Sequence, residues 1–162
     1  ENPQVEIVAG KKHVFAVEVF DQDMLGEPGA DRKFLEVLSR HTVHFITKDT
    51  NANTVTHYVG ATLTTIKRVV KSLEETFPGG EISTRKVAIV SAIGSDMRVP
   101  GLLHTCVKAL SDEEIPILAM HQCMRQVDIQ FVVEESDYER AISTLHGILI
   151  EPHKHEYAIV AA

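Results

Sequence analysis

Val87-Ala-Ile-Val-Ser-Ala-Ile-Gly-Ser-Asp-Met97, followed by Pro100-Gly101, decides the fold, because the chain has already run through the same pattern once. The earlier version is Val14-Phe-Ala-Val-Glu-Val-Phe20, then Asp23-Met24 and Pro28-Gly29. Gly29 and Gly101, Leu38 and Leu110, and Leu73 and Leu145 each stand 72 positions apart, and Met24 and Met97 stand 73 apart. Both copies read as strand, loop, helix, strand, strand, helix. A repeat of this length is a whole β-α-β-β-α unit, not a short motif.

Working outward, His13 to Phe20 alternates as a strand, with Phe15, Val17 and Val19 on one face. Val5 to Val8 reads as a shorter strand ending at Gly10. Phe34, Leu35 and Leu38 mark a helix, as do Ile66, Val69, Val70 and Leu73. Between those helices, Val43 to Thr47 and Thr54 to Val59 are expected as strands joined by Lys48-Asp-Thr-Asn-Ala-Asn53. Pro78-Gly-Gly80 punctuates the boundary between copies. The second copy gives a strand over Val87 to Ile93, a helix over Leu102 to Leu110, strands over Ile115 to Met120 and Val127 to Val133, and a helix over Tyr138 to Leu149. A last strand, Glu156 to Val160, follows Pro152.

This order predicts an α+β, ferredoxin-like βαββαβ arrangement with antiparallel sheets and helices on one face. Eight candidate strands give four to each copy, yet one precedes the first copy and one follows the second. The copies are therefore expected to share strands and to be intertwined. The expected domains are residues 1–80 plus 153–162, and residues 81–152.

Composition bounds the function. A 162-residue chain with 44% hydrophobic residues fills one double domain or two small ones. Its net charge of -7 argues against neutralising nucleic-acid phosphates or an anionic membrane surface. RNA-recognition domains share the βαββαβ order, but they need aromatics and basic residues on the central strands, and Val87 to Ile93 has neither. The two cysteines, Cys106 and Cys123, make no disulfide framework and suit a reducing cytoplasm. No apolar run is long enough to span a bilayer. The nine histidines show no zinc spacing, so no metal site is expected, and no catalytic motif is present.

The loop entering the first helix of each copy is the place for chemistry. A glycine-bearing loop at a helix start presents free N–H groups and a positive dipole end, which together bind a carboxylate. Pro28-Gly29 and Pro100-Gly101 are either such sites or simply good turns. The polar run Lys48-Asp49-Thr50-Asn51-Ala52-Asn53-Thr54 is either a plain hairpin turn or a loop contacting a ligand or another subunit. In the second copy Ser95, Asp96 and Met97 precede Pro100 and Gly101 and form the matching candidate.

The second-copy run Val87 to Met97, with Pro100-Gly101, Ala109-Leu110, Ile115 to Met120, Val132-Val133, Ala141 and Leu145-His146, resembles the second ACT domain of aspartokinase regulatory regions. The first copy, with Asp23, Met24, Pro28-Gly29, Phe34, Leu38 and Asn51-Ala-Asn-Thr54, resembles the first ACT domain. Its Val-Phe-Asp-Gln-Asp-Met and Asn-Ala-Asn-Thr runs are similar to aspartokinases associated with ectoine synthesis.

The resemblance implies a non-catalytic, regulatory fragment. Its parent would phosphorylate L-aspartate with ATP at the start of lysine, threonine and methionine synthesis, in the cytoplasm. The kinase domain, with its ATP and Mg, would lie N-terminal to Glu1, and the fragment itself would carry no cofactor. The implied partners are an amino-acid effector (lysine or threonine), the kinase domain and a second copy bound through the ACT domains. A module serving only dimerisation is the alternative. Carried over, the effector site falls on Met24, Pro28, Gly29, Ala30 and Asp31, with the edge strand at Val43, His44 and Phe45. Lysine-binding members often carry an acidic residue where this chain has His44, and a neutral imidazole does not replace a carboxylate as partner to an ammonium.

Overall fold

The computed structural model describes residues 5–24 and 28–151. Its elements run in the order β1 (Val5–Phe20), α1 (Ala30–Arg40), β2 (Phe45–Thr50), β3 (Thr54–Val59), α2 (Leu63–Thr76), β4 (Glu81–Gly94), α3 (Leu102–Asp112), β5 (Ala119–Gln122), β6 (Asp128–Glu134) and α4 (Tyr138–Leu149). Hydrogen-bonded strand neighbours follow the order β2-β3-β1-β4-β6-β5. The expected α+β, antiparallel, ferredoxin-like architecture is the one observed, with six strands among the described residues.

The two expected N-terminal strands are one strand of 16 residues. His13 interrupts its alternation with φ 58°, and the next two residues, Val14 and Phe15, are both buried. A non-glycine residue at positive φ inside a strand marks a bulge, and this one splits the sequence pattern without ending the strand.

The chain divides into two compact units, one of residues 13–86 and the other of residues 1–12 with 87–162. The repeat divides the sequence at 80/81, whereas the units divide at 12/13 and 86/87, within β1 and β4. Residues 5–12 thus go with the second copy and residues 81–86 with the first. The expected closing strand, within 153–162, lies outside the described residues.

In the first-copy unit, β3 pairs antiparallel with β1 on one side and β2 on the other. Phe15, Val17 and Val19 of β1 and Val55 and Val59 of β3 face α1 and α2, which supply Phe34, Val37, Leu38, Ile66, Val69 and Leu73. Burying each of these side chains contributes about 1.5–3 kcal/mol before entropy is counted. Thr62 caps α2, its hydroxyl accepting from the Thr65 N–H at 3.2 Å.

In the other unit β6 lies between β4 and β5. Ala88, Val90, Ala92, Ile129, Phe131 and Val133 pack with Cys106 and Leu110 of α3 and Ala141 and Leu145 of α4. Burial holds the Cys106 thiol neutral, its pKa pushed up to about 11. Gly10 of β1 belongs here for a steric reason: a Cβ would sit 2.5 Å from the Tyr138 ring and 2.8 Å from Ile142.

The expected strand at Ile115 to Met120 starts later, at Ala119. Pro116 has no N–H to donate, and Leu118 is the first residue there to bond β6, through its N–H to the Val132 carbonyl at 2.8 Å. Among the described residues no helix is long and apolar enough to cross a membrane.

Candidate functional site

Each copy starts its first helix in the same way. Gly29 (φ 99°) and Gly101 (φ 91°) are left-handed N-cap residues of α1 and α3, and neither supplies a side-chain cap. The first-turn N–H groups at both starts therefore lack the side-chain acceptor that a Ser or Asp cap would provide. Nothing crowds the space where a Gly101 Cβ would go, so Gly101→Ala isolates the backbone penalty. We expect that variant to lose about 1–2 kcal/mol, read from urea unfolding, because an L-residue is strained at positive φ. An unchanged midpoint would refute the assigned conformation.

Around the first copy's helix start the expected residues separate. Met24 closes a short 3-10 turn, Gln22–Met24, and Pro28 and Gly29 are exposed in the turn before α1. Ala30 is buried, and Asp31 stands half-buried in the first turn of α1. Val43 is buried, while His44 is exposed and precedes β2 instead of lying within it. Phe45 opens the strand and remains 43% exposed.

Two further residues complete the site: His57, which the sequence reading did not single out, and Lys48, which it placed in the polar run read as a turn or a ligand-contacting loop. His57 of β3 is fully buried on the helix-facing side, its ring 4.1 Å from that of Phe34 and 5.3 Å, edge-on, from that of Phe45. Lys48, its register partner on β2, makes an ion pair with Asp31. A register irregularity between Phe45 and Thr47 sets Phe45 opposite Val59 and Lys48 opposite His57, so both face the start of α1. His57 Nε2 lies 3.7 Å from Asp31 Oδ1. That oxygen and both imidazole nitrogens are buried without a hydrogen-bond partner. Burial, opposed by Asp31 and aided by Lys48, lowers the His57 pKa to about 4. The ring is neutral at pH 7.

The second unit supplies a built-in comparison. Across its strands the row Val90, Phe131, Met120 occupies the registers that Val17, His57 and Lys48 hold in the first unit. Leu103, 72 residues after Asp31, is the second residue of α3 as Asp31 is of α1. Every member of the polar trio is thus apolar in the other copy. A signal for it exists in the sequence: His57 falls in the buried alternation of Val55 and Val59, where a polar residue needs a reason.

The other candidates sit differently. Asp49 is within β2 and not in a loop, because the strand extends to Thr50; the Tyr58 hydroxyl donates to it at 2.6 Å. Burial and Asp49 together raise the Tyr58 pKa. Asn51 and Asn53 form the turn itself: Asn51 Oδ1 accepts from the Ala52 N–H at 2.8 Å, and the Asn53 carbonyl accepts from the Asp21 N–H at 2.9 Å. The first bond is turn chemistry, and the second continues the β1–β3 pairing past Phe20 and Thr54.

In the second copy Ser95 is exposed and Met97 is a core side chain, 1% exposed. Arg98 grips Asp96 through two side-chain bonds and its own N–H, lowering the Asp96 pKa to about 2. Pro100 and Gly101 are exposed before α3. The structure therefore gathers a polar site at α1 and only a turn at α3.

A duplicated βαββα unit with a glycine-led loop at each first helix is the architecture of an ACT-type regulatory fold, and residues 82–147 match the ACT domain family. Over its full length the chain is 46% identical to the aspartate kinase Ask_Ect of Stutzerimonas stutzeri (strain A1501), of which it covers 34%. The fold is that of Escherichia coli aspartokinase III, solved in complex with lysine and aspartate (TM-score 0.77, 20% identity, 93% of this chain and 34% of that one). It is also that of the regulatory subunit of aspartate kinase from Thermus flavus (TM-score 0.76, 16% identity, 89% and 97%). The chain is homologous to the ACT-type regulatory regions of aspartokinases, and it spans about a third of the curated relative that it matches end to end.

Proposed function

We propose that this chain is the allosteric part of an aspartate kinase and binds an amino-acid effector at the start of α1. The observation that carries the reading is 46% identity to an aspartate kinase across every residue of the chain. Catalysis belongs to a kinase domain outside these residues; that domain holds ATP and Mg and phosphorylates L-aspartate in the cytoplasm. The regulatory part pairs with a second copy through its ACT units and passes its binding state to the kinase.

The uncapped N–H groups and positive dipole end of α1 suit an effector carboxylate, and Asp31 and Lys48 supply charge of both signs beside it. Aspartokinase III was solved with lysine, and lysine and threonine are the two effectors weighed for this site. A ligand that binds only the folded state stabilises it, by about 2.7 kcal/mol at a hundred times its Kd. We expect one of the two to raise the melting temperature by roughly 4 °C or more at saturation. No shift at millimolar concentration with either one counts against effector binding. Sedimentation equilibrium tests pairing separately, and a monomer at tens of micromolar would remove it.

A further inference from the structure

The effector site carries a cation of its own. Asp31 is the acidic residue of the first turn of α1, and one of its oxygens already takes the Lys48 ammonium. Its other oxygen is buried without a hydrogen bond, beside a fully buried imidazole whose two nitrogens are equally unpartnered. A buried polar side chain without partners costs free energy, so these atoms are suited to receive a polar group from outside the chain. A neutral imidazole offers one donor and one acceptor, which match a hydroxyl or amide and give an ammonium no charge to meet.

We propose that Lys48 is a tethered ammonium that occupies the Asp31 carboxylate and so makes the α1 site select amino acids with uncharged, hydrogen-bonding side chains over cationic ones. The proposal rests on the reading of the α1 start as an amino-acid site and adds what decides the choice. An amino acid with an uncharged side chain arrives as a net-neutral zwitterion. A cationic one brings a positive charge to a place whose carboxylate is already neutralised and whose nearest cation repels it. The corresponding residue of the second unit, Met120, carries no charge, and neither do Leu103 and Phe131 around it. The device belongs to one copy alone.

The test uses L-lysine and L-threonine as probes, with binding measured by calorimetry on the parent chain, K48M, K48R and the double variant D31N/K48M. The Lys48 side chain is 34% exposed on its strand, so K48M retains the core, and circular dichroism verifies that it does. The parent is expected to prefer threonine by about tenfold or more, the scale of one charge-assisted hydrogen bond. K48M should tighten lysine by about the same factor, because Asp31 is released to the ligand. D31N/K48M should lose that gain, and K48R, which keeps the cation, should retain the parental preference. If threonine binds both parent and K48M while their preference is the same, the role of Lys48 is overturned and the effector site stands. A parent that binds lysine as tightly as threonine also overturns it. If neither amino acid binds parent or K48M, the effector reading itself falls and takes the proposal with it.

Discussion

Phe131→Ala is expected to destabilise the chain by about 3–5 kcal/mol, the range for deleting a buried aromatic ring without local collapse. Phe131 is fully buried at the middle of β6, paired with Val90 and Met120, in the cluster formed by Cys106, Leu110, Ala141 and Leu145. Its neighbours are held by two strands and two helices, so they have little freedom to close the space that the ring leaves. Phe131→Leu keeps most of the volume and should cost about 1.5 kcal/mol or less. Urea unfolding at unchanged slope reads the difference. Equal midpoints for the alanine and leucine variants would show that the ring does not fill the core as described.

The second large effect is a pH dependence carried by the residue in the equivalent register of the other unit. The folded chain holds His57 neutral down to about pH 4, because burial disfavours the charged ring. In the unfolded chain the same imidazole takes its proton near pH 6.5. Between those values the unfolded state binds the extra proton, so stability falls as pH falls through that window. The contribution is fully present above pH 6.5, and about 3 kcal/mol has been lost once the pH is below 4. Carboxylates titrate over the same range, so the parent must be compared with His57→Phe, which places here the residue type that the second unit uses. The variant should gain on the parent as the solution is acidified. A stability difference that is the same at pH 7.5 and pH 4.5 would mean that His57 is not buried as the structure has it.

The architecture was legible because each element announced itself by period. Thr54 to Val59 and Tyr138 to Leu149 appear where hydrophobic spacing puts them, whereas the strand expected at Val87 begins earlier, at Glu81. Errors came where a local backbone event overrode the pattern. The bulge at His13 made one strand look like two, and β2 pairs with β3 as far as Thr50, which makes Lys48 and Asp49 strand residues instead of loop residues.

The site was legible at its glycines and not in its charges. Pro28-Gly29 signals a helix start by composition, and Asp31 stands within reach of that signal. Lys48 and His57 reach Asp31 only through cross-strand pairing, which no local window contains. His44 drew attention as an unusual residue on an expected edge strand, yet it is exposed, and the informative histidine is the buried one thirteen positions later.

The membership of residues 5–12 in the unit of residues 87–151 has a consequence for the order of synthesis. They are made before residues 13–86, yet they belong to a unit whose remaining strands are made after those residues, whereas residues 13–86 are contiguous and can collapse on their own during translation. Residues 5–12 therefore wait for their partners while residues 13–86 are being made, with Gly10 bare until Tyr138 can pack over it.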